Sequence, residues 1–180
     1  EREIIRTHIK GAKRMIRLAT ANDAAAIATL QIQCWQATYT EHVSEQFLQS
    51  LSHKKRTYLW EDNVANEKMH TFVLEKDGQL FGFVSGGLVR KENYPGYDAE
   101  LLSLYVKPEH NGLGHGRDLL KHFLTLMNEQ GAHKVYLRVI DDAASLSFFE
   151  KLGGQPIDVQ DAVIDDEHIR LYTYGFEQLV

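Results

Sequence analysis

Three glycines at alternate positions, Gly112, Gly114 and Gly116, stand in the stretch YVKPEHNGLGHGRDLLKHFL, between an apolar run and an amphipathic pattern. The chemistry open to such a loop is anion binding. A turn from strand to helix gathers backbone N–H groups that have no partner, and the helix dipole adds positive potential there. Glycine lets the backbone approach a ligand closely and adopt positive φ. Phosphate or pyrophosphate suits such a cradle; a tight turn without a ligand is the alternative. Two familiar phosphate motifs do not fit. A P-loop would continue with Gly-Lys-Ser/Thr, whereas Gly116 is followed by Arg117 and Asp118. A dinucleotide fingerprint beginning at Gly112 would need glycine where Arg117 stands, and an N-terminal βαβ unit.

The elements that must hold this loop are legible as a coarse pattern. MIRLA reads as a strand, and NDAAAIATLQIQCWQATY as a helix with Asn22 or Asp23 as its N-cap and Ile27, Leu30, Cys34 and Ala37 at helical spacing. A second helical region runs from Ser44 to about Val64. Two apolar runs flank Asp77-Gly78, a strong hairpin signal. AELLSLYV is a further strand, stopped by Pro108. After the glycines, Leu119, Leu120, Phe123, Leu124 and Met127 share one face of a helix that ends near Gly131. HKVYLRVI is a strand, DAASLSFFEKLGG a helix capped by Asp141 or Asp142, and two strand-like runs flank DDEH. The order β-α-α-β-β-β-α-β-α-β-β predicts a mixed sheet with helices packed on it. It excludes a TIM barrel or a fully doubly wound fold.

A chain of 180 residues suits one domain. The 25 acidic against 20 basic residues, a net charge of −5, argue against a nucleic-acid partner. Cys34 is the one cysteine, so no intramolecular disulfide forms, and a reducing, cytoplasmic setting is expected. No apolar run approaches the roughly 18 residues of a membrane span. Residues 1–14 read as a disordered or appended extension, with Met15 as the native start and residues 15–180 as the domain. His115, Asp118 and His122 have a spacing that invites a metal. His115 lies inside the glycine loop, however, and no metal site is expected. Cys34, on an apolar helix stripe, reads as a buried small hydrophobe.

LYVKPEHNGLGHGRDLL resembles the signature of the GCN5-related N-acetyltransferases (GNAT superfamily), in which a strand ends in a Val-x-Pro-like step and a Gln/Arg-x-x-Gly-x-Gly/Ala loop opens a helix. Asn111 occupies the Gln/Arg slot; Gly114 and Gly116 match the small positions. DAASLSFFEKLGG is similar to the family's Asn-x-x-Ala-x-x-Phe-Tyr-x-Lys-x-Gly-Phe segment. Asp142 falls on the Asn, Ser145 on the Ala, Phe148 on the Phe, Phe149 on the Tyr, Lys151 on the Lys and Gly153 on the Gly. MIRLATANDAAAI looks like the family's first strand and helix. The resemblance covers Met15 to Phe176. It implies an α/β fold of the α+β type, with a mixed, mostly antiparallel central sheet of six to seven strands flanked by helices.

It also implies direct transfer of an acetyl group from acetyl-CoA, as co-substrate, to a primary amine of a small molecule, polyamine or peptide. A homodimer is compatible with it. The alternative is a non-catalytic CoA-binding domain, motivated by two departures, Asn111 and Phe149. By the resemblance, Leu104, Tyr105 and Val106 bind the acetyl and pantetheine arm, with the Leu104 N–H as oxyanion donor. That role requires a splayed strand or a bulge. Asn111, Gly112, Leu113, Gly114, His115 and Gly116 form the pyrophosphate loop, with Asp142, Ser145 and Phe149 beside it. Glu100 is the candidate general base. It lies four residues before Leu104, which on a regular strand puts both side chains on one face. A salt-bridged structural glutamate, or proton transfer to water, are the other readings. Phe149 stands where many members carry a proton-donating tyrosine; Tyr105, Tyr172 and Tyr174 are the possible substitutes. Trp35 and Tyr39 border the acceptor pocket in this comparison.

Overall fold

A computed structural model describes residues 14–89 and 94–177. Seven strands form one sheet in the order β1 (Arg14–Leu18), β2 (His70–Lys76), β3 (Gln79–Leu88), β4 (Ala99–Val106), β5 (Val135–Ile140), β7 (Glu167–Phe176) and β6 (Gln155–Ile164). Only the β4–β5 pair is parallel. The mixed, mostly antiparallel sheet expected from the sequence is therefore present. Residues 1–13 of the expected extension lie outside the described residues. Arg14, counted with that extension, is instead the first residue of β1, paired with Lys76.

Helices α1 (Ala24–Thr38) and α3 (His53–Ala65) pack on one face of the sheet, with Ile27, Leu30 and Trp60 against Val73 and Phe83. Helices α4 (His115–Glu129) and α5 (Ala143–Lys151) pack on the other, with Leu119, Phe123 and Phe149 against Phe72, Leu101 and Leu137. The single helical region expected over 44–64 is two helices, because a short helix α2 (Glu45–Ser50) ends at Leu51, whose ψ of 112° is extended. Ser52 then starts α3 afresh, its hydroxyl accepting from the Lys55 N–H at 3.2 Å. Asp23 is the expected N-cap of α1, yet its carboxylate makes no cap bond within that helix. A 3-10 turn, Ala21–Asp23, precedes it, and Asp23 accepts from the Thr20 N–H at 2.8 Å while pairing with Arg17 at 2.8 Å. The two-residue turns of the β2–β3 and β6–β7 hairpins, Asp77-Gly78 and Asp165-Asp166, have positive φ at both residues, as tight hairpins require. No helix among the described residues is long and apolar enough to cross a membrane.

The apolar face of α4 packs into the core. Leu119, Leu120, Phe123, Leu124 and Met127 are all buried, and each such side chain contributes roughly 1.5–3 kcal/mol of burial. As the crossover between β4 and β5, α4 is held against the sheet along its whole length, which fixes the glycine loop at its start.

The sheet is irregular at one place that matters. Ser85 pairs with Ser103 and Gly86 with Leu101, so Leu102 of β4 has no partner and forms a bulge. The parallel pairing with β5 ends at the same level, at Leu101↔Leu137. Beyond it the two strands diverge. Gly86 makes the bulge possible: a Cβ there would run into the Glu100 carbonyl and approach the Phe123 ring to 2.6 Å. Gly86→Ala is therefore expected to destabilise the protein by about 3 kcal/mol through overpacking. A urea-unfolding midpoint equal to that of the parent protein would refute this account of the bulge.

Candidate active site

The divergence of β4 from β5 opens a cleft of about 680 Å³ that continues into the glycine loop. One wall is Leu102 to Val106, the other Leu137 to Ile140; Pro108, Asn111, Gly112, Gly114, His115 and Gly116 close one end. Cys34 and Thr38 of α1 and Tyr39 at its C-cap border it, as do Asp142, Ser145 and Phe149 at the start and along the length of α5.

The backbone of β4 decides which groups the cleft receives. The Lys107 N–H donates to the Phe81 carbonyl of β3 at 2.8 Å. Alternation along an antiparallel pair then turns the N–H and C=O of Tyr105 and Ser103 toward β3, and those of Leu104 and Val106 away from it. With β5 already diverged, the Leu104 N–H faces the cleft. The bulge is the cause: an unbroken alternation from Glu100 would have turned Leu104 toward β3. Cys34 Sγ reaches the exposed Val106 carbonyl at 3.2 Å. Burial pushes the Cys34 thiol up to about 12, so it stays protonated and its role is packing.

The same bulge overturns one expectation. Glu100 and Leu104 do not share a face, because the extra residue reverses the parity between them. Leu104 packs with the α4 layer, whereas Glu100 lies on the α1 side. Its side chain is 17% exposed and it does not line the cleft. One carboxylate oxygen accepts from the Tyr136 hydroxyl at 2.9 Å, the other from Arg138 at 3.3 Å. Arg138 itself lines the cleft and stacks over the Tyr136 ring at 5.4 Å. Burial first, and the bond to Glu100 second, raise the Tyr136 hydroxyl to about 12. Neither Tyr136 nor Arg138 was expected from the sequence. Their only sequence signal is alternation within HKVYLRVI.

In the loop, Gly114 has φ +82° and is the N-cap of α4; no side chain crowds its position except the tip of Arg117 at 3.5 Å. The Asp118 N–H bonds back to the Gly114 carbonyl at 3.1 Å, which leaves the N–H groups of His115, Gly116 and Arg117 as the open first turn. The Phe148 ring packs against Gly116. Leu113, expected among the loop contacts, is 62% exposed and does not line the cleft, because the chain turns it outward between two glycines of positive φ. Asn111 lines the cleft in extended conformation. Asp142 caps α5, accepting from the Ser145 N–H at 3.0 Å and its hydroxyl at 2.7 Å.

Of the aromatics, Tyr39 and Tyr105 line the cleft and Trp35 does not. The Trp35 indole N–H donates to the Tyr105 hydroxyl at 2.9 Å from behind, and the Arg56 guanidinium lies over its ring. Burial raises the hydroxyls of both tyrosines above their ordinary range, Tyr105 furthest. Phe149 is buried beside Phe148 and Tyr174. Tyr172 packs at the edge of the α4 core, and the Tyr174 hydroxyl donates to Glu150 at 2.6 Å. Neither lines the cleft, so Tyr105 alone of the three proposed substitutes does. Among the described residues no group of three or more His, Cys, Asp or Glu is placed to hold a metal. Asp118 is ion-paired with Arg14 at 2.6 Å, and His122 packs edge-on to Phe72.

The sequence model described as the acetyltransferase (GNAT) family matches residues 26–154. The chain is 30% identical over 136 residues to the uncharacterized N-acetyltransferase YuaI of Bacillus subtilis (strain 168), covering 75% of this chain and 76% of that protein. The crystal structure of PaiA N-acetyltransferase from Thermoplasma acidophilum in complex with coenzyme A matches at a TM-score of 0.69 and 23% identity, over 88% of this chain and 97% of that one. YncA from Salmonella typhimurium, solved with its cofactor acetyl-CoA, matches at a TM-score of 0.70 and 24% identity, over 93% and 94% of the two chains. At such identities the solved structures speak for the fold.

Burial, helped by Arg14 at its ring, holds His115 below its ordinary pKa, and burial does the same to His122. Both histidines are therefore favoured neutral in the folded protein. The stability they contribute is complete above the unfolded value near 6.5 and is lost as pH falls through their lower folded values. Thermal midpoints should fall from pH 7 to pH 5, and His115→Asn should flatten that fall. An identical pH profile in the variant would contradict the environment assigned to His115.

Proposed function

The chain belongs to the acetyltransferase (GNAT) family and is an acyltransferase with acetyl-CoA as co-substrate; from this premise we propose that it transfers the acetyl group directly to a primary amine of a small molecule, polyamine or peptide. The observation that carries the reading is the backbone of β4. Its bulge turns the Leu104 N–H into a cleft that ends in a glycine loop at a helix start. Thioester and pyrophosphate are the two groups that such a pair of sites suits.

Acetyl-CoA supplies a thioester at one end and a pyrophosphate at the other. In this reading the pyrophosphate is held by the first-turn N–H groups after Gly114, with Gly112 and Asn111 beside them. The fit is steric as well as electrostatic: the left-handed Gly114 leaves open a space that any longer residue would fill. Arg117 adds a cation at the mouth. Leu104, Tyr105 and Val106 line the path of the pantetheine arm, and Ser145 and Phe149 lie across from them.

Three demands fall on the protein at the reacting end. Negative charge gathering on the carbonyl oxygen is met by the Leu104 N–H. The proton of the attacking amine passes through a bridging water to Glu100, on the α1 side of β4, whose carboxylate Arg138 and Tyr136 hold in place. Trp35 acts in this reading by orienting the Tyr105 hydroxyl, and Tyr39 forms part of the acceptor wall. Phe149 has no proton to give. A thiol of pKa about 8.5 leaves as thiolate without a dedicated acid.

Gly114→Glu is expected to abolish acetyl-CoA binding by calorimetry while the protein stays folded. A left-handed non-glycine residue costs about 1–2 kcal/mol, well below a typical domain's 5–15 kcal/mol, whereas the added carboxylate occupies the cradle. Undiminished affinity would sink the loop assignment. Once a screen of amines, polyamines and peptides by thiol release has identified an acceptor, Glu100→Gln should lower kcat by about 100-fold with the affinity for CoA retained. An unchanged kcat would hand the proton to water instead.

A further inference from the structure

Arg14 reaches across from the first strand to the start of α4. Its Nη1 lies 2.7 Å from His115 Nδ1, and its Nη2 donates to Asp118 Oδ2 at 2.6 Å. The Arg14 side chain is only 14% exposed. Arginine has donors and no acceptor, so His115 Nδ1 must be the acceptor. The ring is then neutral, with its proton on Nε2, and it borders the cleft beside Gly114. The second contact answers an electrostatic conflict. Asp118 lies in the first turn of α4, where a carboxylate suits the helix dipole but repels any anion bound at the same end. The Arg14 guanidinium cancels that charge at contact distance from a largely buried position, whereas the second cation near the carboxylate, Arg117, is 66% exposed and stands farther off, its Nε 3.7 Å from Oδ1.

We propose that Arg14 is a positioning residue for the anion site at the start of α4, neutralising Asp118 and fixing His115 as an Nε2–H donor toward the bound phosphates. The inference rests on the reading of this loop as the pyrophosphate site of acetyl-CoA. It makes β1, on the far edge of the sheet from the cleft's other wall, part of the binding apparatus. A lysine could not replace Arg14 fully, since one ammonium cannot repeat the two-pronged contact to a ring nitrogen and a carboxylate.

The test is calorimetry with CoA itself, which needs no acceptor, on the wild-type protein and on Arg14→Ala, Arg14→Lys and Arg14→Ala combined with Asp118→Asn. Arg14→Ala should weaken CoA binding about tenfold, and Arg14→Lys about threefold. The double variant should recover to about threefold, because removing the Asp118 charge removes most of what Arg14 opposes. A purely structural tie between β1 and α4 would behave otherwise: the double variant would bind CoA no better than Arg14→Ala, and that result overturns the proposal. So does wild-type affinity in Arg14→Ala. If Arg14→Ala does not fold, Arg14→Lys decides alone, with undiminished affinity as the overturning result. A wild-type protein that fails to bind CoA sinks the pyrophosphate reading of the loop, and this proposal with it. Binding in the wild type with no change in the variants sinks this proposal only.

Discussion

One extra residue in β4 governs the site. A strand flanked on both sides would normally spend every N–H and C=O on its neighbours. Leu102 breaks the ladder with β3, and the pairing with β5 stops one residue earlier. Between them these two faults free one edge of β4 over Leu104–Val106 and hold it open as a cleft. The fault is stabilised from behind. Gly86 gives the Glu100 carbonyl and the Phe123 ring room to close over it, so the irregularity is packed as firmly as the regular sheet around it.

The two faces of the sheet do different work around that fault. On the α4 face, a continuous apolar layer fixes the helix and with it the loop that begins at Gly114. On the α1 face the layer is smaller, and its rim becomes polar: Trp35 to Tyr105, Tyr136 to Glu100, Glu100 to Arg138. Tyr136 is fully buried and the Glu100 side chain only 17% exposed, so these hydrogen bonds fix the side chains firmly beside the freed edge. The apolar side supplies rigidity and the polar side a set of oriented side chains, with the freed edge of β4 between them.

Electrostatics along α4 follow the same division. The helix start offers open N–H groups, yet its own first turn carries Asp118. The close partner of that charge is a residue more than a hundred positions earlier in the chain, with the exposed Arg117 farther off at 3.7 Å. The pairing also orients His115. A local motif is thus completed by a distant strand, a dependence that no window around the glycines contains.

Much is legible in the sequence alone. Alternation and helical periodicity marked the strands and helices, Asp77-Gly78 marked its hairpin, and the glycines and SFFEKLGG marked the loop that closes the cleft and the helix that borders it, because these are local properties of short segments. Boundaries that hang on a single hydroxyl were less so: Ser52 divides one apparent helical region into two. The larger misreadings have separate causes. Leu102's bulge reverses parity, so Glu100 and Leu104 part company although period two joins them. Leu113 turns outward although its neighbours form the cradle, and Trp35 stands behind Tyr105 rather than on the cleft. Arg14, Tyr136 and Arg138 carry no motif at all. The sequence by itself determined the family, the element order and the loop, since these rest on spacing along the chain. Only the tertiary structure decided which side chains meet there, since register, parity and long-range ion pairs depend on how separate segments pack and not on what either contains.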